Sequence, residues 1–556
     1  MGRFEDNLAA LATRDPALAA RLAQAERGAI SIITRGRWPN LLDALTRVTA
    51  HPENNPLQET HDVVTRLAPA PLYVVLGAGA GYHLIALQQK YPGVPLAIVE
   101  PRLDILAQAL VVNDLRTVLA RPEVTVIVED DPDAAAARVV ATQPLDPLAA
   151  AGEVALRGVD KLYPGFSRVF RDRLRERITV EQRTRATLLL FAPRWQEHFW
   201  SSLPAIMTLP PATRLDGAAR GRPAFVVGGG PSLDDNGALL ARVQGRGVVI
   251  AVDTALPPLR RLGVTPDLVV TLDAGWGNAQ SLLGEHAQTD TRLVAFPLVD
   301  PTVLRAWTNR TLAFNLRHPA LRFLGRVREP IDDLRVSGSV VTAAYDLARR
   351  MGCNPIALVG VDLALCGERM YTRGTALYDS WRRQLNRYAS MENKGRGLYR
   401  GLDLTGLSST RQMGYWRHWL EREAAAWKGR TLNCCAGGVG PGALPRVPLA
   451  EVLQRELPKN TAPWCEKISF SPARADVAAA QALWSELERA AQAARTALNA
   501  GGPVAALAEQ PLLAELCEWE IKVARWQRTE ADQRRTADLL LAAVLRGCAR
   551  LRERAA

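Results

Sequence analysis

What this 556-residue chain lacks narrows its class before any motif is read. Cysteine is sparse: seven residues, Cys353, Cys366, Cys434, Cys435, Cys465, Cys517 and Cys548, odd in number and without a C-x-x-C pair. That excludes a disulfide framework and gives no zinc-site spacing, so a reducing compartment is expected. No run of 18 apolar residues occurs, so no transmembrane helix is expected. The first residues, Met-Gly-Arg-Phe-Glu-Asp-Asn, hold no basic stretch followed by an apolar core. A cytoplasmic protein without a secretory signal is the expectation. The net charge is +12, yet no Lys/Arg block carries interleaved stacking aromatics. The basic residues are mostly Arg and alternate with acids, as in Glu421-Arg422-Glu423. A nucleic-acid partner is therefore not expected, although anionic substrates would be drawn to such a surface.

What is present is an α/β chain of ordinary globular composition, 48% hydrophobic and 23% charged, long enough for three or four domains. Its most informative stretch begins with an apolar strand, Ala224 to Val227, that runs into Gly228-Gly229-Gly230-Pro231-Ser232. No Lys-Ser or Lys-Thr follows, and the G-x-G-x-x-G form is absent there, so the P-loop and dehydrogenase patterns both fail. Three glycines in a row cost chain entropy, and no packing gain is visible in the sequence. They are expected to face a ligand phosphate at a helix start. Asp253, at the end of a second strand (Val248 to Val252), is placed to take a ribose or base.

Six strands are expected in this central region, at 224–227, 248–252, 268–272, 293–296, 311–315 and 356–361. The segment before the last reads as a helix capped near Ser337 or Ser339 and stopped by Gly352. Upstream, strands at 72–76, 96–99 and 124–128 make a smaller doubly wound sheet. Its turn Gly77-Ala78-Gly79-Ala80-Gly81, with Glu100 about twenty residues on, is similar to a dinucleotide or methyl-donor fingerprint. The alternative is a connecting turn that holds no ligand. The expected organisation is a helical region at 1–68, a small Rossmann-like domain at 69–150 and a helical connector at 151–221. A central nucleotide-binding domain at 222–460 and a helical bundle at 461–556 complete it. Trp484, Trp519 and Trp526 are expected as core or interface aromatics of that bundle.

The motifs G-G-G-P-S-L-D-D, A-V-D-T-A-L-P-P-L-R-R-L-G-V-T-P-D-L-V-V-T-L-D, S-G-S-V-V-T-A-A-Y-D-L-A-R-R-M-G-C and L-V-G-V-D-L-A occur in this order. Together with V-V-L-G-A-G-A-G-Y-H-L, I-V-E-P and N-C-C-A-G-G-V, they resemble the motility accessory factor family of flagellin nonulosonic-acid glycosyltransferases. The central domain of that family is similar to those of sialyltransferases and 6-hydroxymethylpterin diphosphokinases.

The resemblance implies transfer of a pseudaminic- or legionaminic-type sugar from a CMP donor to Ser or Thr hydroxyls of flagellin. It implies no required cofactor and no metal. Gly228, Gly229, Gly230, Pro231 and Ser232 would hold the CMP phosphate and ribose, and Asp253, Thr254 and Asp273 would line the nucleotide. Ser337, Gly338 and Ser339 would meet the cytidine or sugar carboxylate, and Asp362 and Tyr371 would serve the chemistry. The family pattern often has a His after the strand that ends at Asp362, whereas here the first is His418, in a W-R-H-W helix. The identity of the base is thereby left open between Asp362, Asp379 and groups on donor or acceptor. Two other readings stand beside this one: a pyrophosphoryl transferase using magnesium and ATP, and a non-catalytic flagellin-binding chaperone.

Overall fold

The computed structural model describes residues 2–555 apart from 35–36, 54, 157, 288–289, 367–368, 384–400, 405–406, 460–463, 465–467 and 528. The chain divides into two compact units, Met1–Thr187 and Leu188–Ala556.

The N-terminal unit holds a four-stranded parallel sheet of β3 (Tyr73–Leu76), β4 (Leu96–Glu100), β5 (Val124–Val128) and β6 (Gly152–Ala155), in the order β5-β4-β3-β6. Strands such as Tyr-Val-Val-Leu are apolar throughout because helices cover both faces of a parallel sheet. Two features differ from the sequence reading. Between the helices of residues 1–68 lies an antiparallel pair, β1 (Ile30–Ile33) and β2 (Asn40–Asp43). The stretch read as helical connector contributes β6, whose Gly152 passes so close to Tyr73 that a Cβ would stand 2.6 Å from its ring. Four residues with one glycine give too weak an alternation to register as a strand.

The C-terminal unit is built on seven parallel strands. They are β7 (Ala224–Val227), β8 (Val248–Val252), β9 (Leu268–Thr271), β10 (Arg292–Ala295), β11 (Thr311–Ala313), β12 (Ile356–Val359) and β15 (Thr431–Asn433). An antiparallel pair, β13 (Gly401–Leu404) and β14 (Leu407–Thr410), comes before β15 in the chain. The large sheet runs β11-β10-β9-β8-β7-β12-β15. From β7 the chain winds outward through β8 to β11, then returns to lay β12 on the other side of β7. The strand order thus reverses between β7 and β12. Beside them packs the helix Val340–Arg350, which ends where Gly352, at φ +77°, supplies the left-handed residue of a helix stop. Its last turn meets the strand-start side of the sheet through Gly217 N–H to Arg350 O and Ala219 N–H to Met351 O. An antiparallel helix of this length therefore begins near the carboxyl ends of the strands.

Helices Val477–Asn499, Pro511–Leu516, Glu518–Arg525 and Glu530–Ala555 follow. Their Leu483, Trp484, Leu487, Leu516 and Val544 share one apolar cluster with Phe199, Trp200 and the sheet. Trp484 is buried there, and Trp519 and Trp526 pack on Leu188, Ala192 and Val523. The described cysteines are free thiols, and Cys465 lies outside the described residues. Among the described residues no helix is long and apolar enough to cross a membrane.

Candidate functional site

The loop Gly228–Ser232 leaves β7 at the point where the strand order reverses, the place where open parallel sheets bind ligands. All three glycines have a packing reason, contrary to the sequence expectation. A Cβ on Gly228 would stand 2.6 Å from Gly360 O, one on Gly229 2.9 Å from Thr254 Oγ1, and one on Gly230 2.5 Å from Asp362 Oδ2. Two loops, one from β7 and one from β12, are pressed backbone to backbone, and Gly230 N–H donates to Gly360 O at 2.8 Å. No spacing rule announces this, because the partners of the three glycines lie up to 132 residues away in the sequence.

Asp362 is the hub of this contact. Its Oδ2 accepts from Ser232 N–H at 2.8 Å and its Oδ1 from the Ser232 hydroxyl. From the other side Gly438 lies against it, where a Cβ would come within 2.5 Å of the Asp362 Cβ, and Gly440 N–H donates to Asp362 O at 2.8 Å. The carboxyl is 2% exposed, and burial pushes its pKa up against the lowering effect of the two Ser232 hydrogen bonds. Each carboxylate oxygen keeps acceptor capacity beyond these two bonds.

The segment Arg369–Thr372 closes on the same loop. Thr372 N–H donates to Gly229 O at 2.9 Å, its hydroxyl donates to Asp234, and Arg369 forms an ion pair with the other Asp234 oxygen. Tyr371, half-buried, is thereby fixed one residue from a backbone bond to the glycine loop. Thr372 and Arg369 did not figure in the sequence reading, and Gly360 and Gly438 stood there only inside motifs, with no role of their own. The run G-G-V-G-P-G from Gly437 to Gly442 was the one local signal that a second tight loop was needed.

Asp253 lies at the end of the neighbouring strand β8. It accepts from Thr271 Oγ1 at 2.8 Å and from Thr254 N–H at 2.7 Å. Burial, with Asp273 as a nearby like charge, pushes its carboxyl up to about 7. Asp273 is engaged otherwise: it accepts from Gly275 N–H and Asn278 Nδ2, both at 2.9 Å, and so holds the turn that presents Trp276, 54% exposed. Ser337, Gly338 and Ser339 form the entry to the Val340–Arg350 helix. Ser339 is its N-cap without a side-chain cap, and Ser337 N–H donates to Thr342 Oγ1 at 3.0 Å. Val340 and Val341 pack on the cluster of Val227, Leu233 and Ala251, which sets this helix entry on the glycine-loop side of the sheet.

One group is conspicuous by its lack of a partner. The N–H of Gly229 is buried in the cradle, and among the described residues nothing in the chain accepts from it. Buried backbone donors are nearly always paired, so an orphan at a sheet switch point marks a place for an acceptor from outside. His418 sits on the helix Arg411–Ala426 as an exposed residue. Among the described residues no three of His, Cys, Asp and Glu converge on a metal-sized point.

This arrangement has relatives. The family described as 6-hydroxymethylpterin diphosphokinase MptE-like matches residues 197–368, the span that carries β7 to β12 and the glycine loop. No curated protein matches the chain in sequence. Among solved structures, the MAf glycosyltransferase from Magnetospirillum magneticum AMB-1 is similar to 98% of this chain and 90% of its own. Its TM-score is 0.61 at 18% identity. The two chains share a fold. Two doubly wound parallel sheets and a helical C-terminal region, as the motifs implied, are therefore what this chain has in common with that glycosyltransferase.

Proposed function

We propose that the C-terminal unit is a glycosyltransferase that moves a pseudaminic- or legionaminic-type nonulosonic acid from a CMP donor to Ser or Thr hydroxyls of flagellin in the cytoplasm. The observation that carries this reading is the unpaired, buried Gly229 N–H at the switch point. It stands in a chain whose fold is that of a MAf glycosyltransferase. A phosphate oxygen of CMP would accept from Gly229 N–H. The uncapped entry of the Val340–Arg350 helix at Ser337–Ser339 would face the remaining negative charge, of phosphate or sugar carboxylate. Thr254 and Asp253 would line the ribose and base.

In the step itself the bond from the sugar to the phosphate oxygen breaks and one to the acceptor oxygen forms. The acceptor proton passes to Asp362, and CMP leaves as its anion. Asp362 suits the role because burial raises its proton affinity toward the working pH. Tyr371 would donate a hydrogen bond to the departing phosphate. No cofactor enters this scheme.

The test is a calorimetric titration with CMP of the wild type, Gly229→Asp and Thr254→Val, each checked by its melting curve. Binding that is lost in Gly229→Asp and weakened several-fold in the near-isosteric Thr254→Val supports the reading. Absence of CMP binding by the folded wild type sinks it. The match of residues 197–368 to a diphosphokinase family supports a second reading, pyrophosphoryl transfer, which magnesium-dependent ATP binding without CMP binding would select.

A further inference from the structure

The N-terminal unit has its own glycine turn, and the protein fills it. His51 Nε2 accepts from Ala80 N–H at 3.0 Å, and a Cβ on Gly79 would stand 2.7 Å from that same nitrogen. Glu100, the residue that would hold a ribose in a dinucleotide site, accepts instead from Ala78 N–H at 2.7 Å and from the Tyr163 hydroxyl. A ligand of this sheet has to sit elsewhere along its carboxyl edge.

One strand over, a cavity of about 770 Å³ opens at the ends of β4 and β5. That volume falls in the range of about 300–1,000 Å³ typical of small-molecule sites. Its floor is Pro101, Leu103 and Val128. The segment Ala25–Ala29 forms a wall, tied down by Gln108 Nε2, which donates to Arg27 O and Ile30 O. Around the rim stand Arg21 and Arg138 on two different helices, and Glu129 and Asp130 on the strand end.

Among the described residues these opposite charges form no ion pair with one another. Arg138 has only a 3.4 Å contact to Val128 O, and Arg21 and Asp130 have no hydrogen-bond partner. Among the described residues the lining therefore offers two guanidiniums free of ion pairs for an anion, the carboxylates of Glu26, Asp130 and Glu129 (the last accepting from Asp131 N–H at 3.5 Å) for hydroxyl donors, and an apolar floor between them. The third arginine of the lining, Arg102, is held by Asp43 and Asp104 at 3.0 and 2.6 Å and stiffens the wall.

We propose that this cavity binds a small phosphomonoester bearing a vicinal diol, specifically a nucleoside monophosphate. Arg21 and Arg138 take the phosphate, Glu129 and Asp130 the ribose hydroxyls, and the base lies on Leu103 and Val128. The site is independent of the glycine loop in the C-terminal unit and of any reaction assigned to it. Two guanidiniums match a phosphate, and a carboxylate accepts a pair of adjacent hydroxyls, so phosphate and sugar are recognised separately.

The test titrates AMP, GMP and UMP, with 2′-deoxy-AMP and inorganic phosphate as controls, into the full chain carrying Gly229→Asp. Variants Arg21→Ala with Arg138→Ala, and Glu129→Gln with Asp130→Asn, report on the site; all four residues are solvent-facing rim positions whose change leaves the core intact. The expected result is binding of at least one ribonucleotide that the arginine pair variant weakens about tenfold or more. 2′-Deoxy-AMP binds several-fold more weakly than AMP, a difference that disappears in the carboxylate variant. The proposal is overturned if no ribonucleotide binds at millimolar concentration, or if binding is indifferent to both variants. It is equally overturned if inorganic phosphate binds as well as the nucleotides.

Discussion

The two parallel sheets of this protein repeat one design and use it differently. Each begins with a strand that runs into a glycine-rich turn, Gly77–Gly81 after β3 and Gly228–Ser232 after β7, and each has a buried acid at the end of its second strand, Glu100 and Asp253. In both, burial pushes that carboxyl up to about 7. In the first sheet Ala80 N–H and Ala78 N–H are answered from within, by His51 and Glu100, and the His51 ring fills the space over Gly79, whose own N–H has no acceptor among the described residues. In the second, Gly229 N–H is answered by nothing in the described chain. A glycine turn specifies a backbone shape, and residues far away in the sequence decide whether a ligand or the protein occupies it.

The sharpest way to break this comparison is to make the same substitution in both turns. Gly229→Asp drives a side chain against Thr254 and brings a carboxylate beside the proposed phosphate position, and CMP affinity is expected to fall by about a hundredfold or more, since two negative charges then share a dry site. Gly79→Asp meets the His51 ring and demands a side chain at φ +48°, so it is expected to lower the melting temperature while leaving CMP affinity untouched. Equal loss of CMP binding in both variants would show that the two turns do not differ in the way argued.

The next largest effect concerns Glu100. Its folded pKa lies above the ordinary carboxylate value, so the folded state holds the extra proton. The associated stability is present below pH 4.5 and is lost as pH rises to about 7. The span corresponds to about 3 kcal/mol at most. Glu100→Gln keeps an oxygen for Ala78 N–H and carries no charge, so from pH 5 to 8 its stability should decline less steeply than that of the wild type, Asp253 and Glu520 still titrating in that window. Chemical denaturation at several pH values measures it.

A smaller loss attaches to His51. Ala80 N–H donates to Nε2, so the ring hydrogen is on Nδ1 and points at Glu59, 3.2 Å away. His51→Ala leaves the buried Ala80 N–H without its acceptor, removes the Nδ1–H bond to Glu59 and opens the turn, at a cost of about 2 kcal/mol. If phosphate then binds in the vacated turn, the plug alone had kept this sheet from behaving like the other.

Much of this architecture is legible in the chain itself. β7 and β8 are continuous runs of Val, Ile, Ala and Phe, and β5 is one of Val and Ile broken by Thr125; all three are bounded by glycine, proline or charge, and their limits fall where the pattern puts them. Val340–Arg350 follows from its serine entry and glycine stop. What escaped were short strands: β15 next to β12 and β6 next to β3, whose pairing is long-range, and the local β1–β2 pair. Three or four residues carry no period, and only their partners make them strands. The site divides the same way. The loop, Asp253 and Asp362 stand out in sequence because they close apolar strands. The clamp of Thr372 and Arg369 on Gly229 and Asp234 does not, since it joins residues more than 130 positions apart. The triple glycine is the instructive case: read as a sign of a ligand, it is explained by protein packing, and what points to a ligand is the one amide of the loop that packing leaves unpaired.

The finest discrimination between the two sheets comes from their twin carboxylates. Asp253 is as deeply buried as Glu100 and raised to a similar value, but it adjoins the proposed phosphate position through Thr254, which faces Gly229. A bound phosphate stabilises the protonated form of Asp253 further, so binding takes up a proton and affinity must fall as pH rises above about 7. Between pH 7 and 8.5, where the phosphate has already lost its second proton, the expected fall in CMP affinity is several-fold and cannot exceed tenfold per pH unit for one proton. Asp253→Asn keeps the acceptor for Thr254 N–H and removes the titration, so its affinity should be level across this window. Glu100→Gln should leave the decline as it is in the wild type. Calorimetry on the three proteins at three pH values distinguishes the cases. A slope that survives Asp253→Asn but vanishes with Glu100→Gln would place the nucleotide in the N-terminal sheet and reverse the assignment of the two turns.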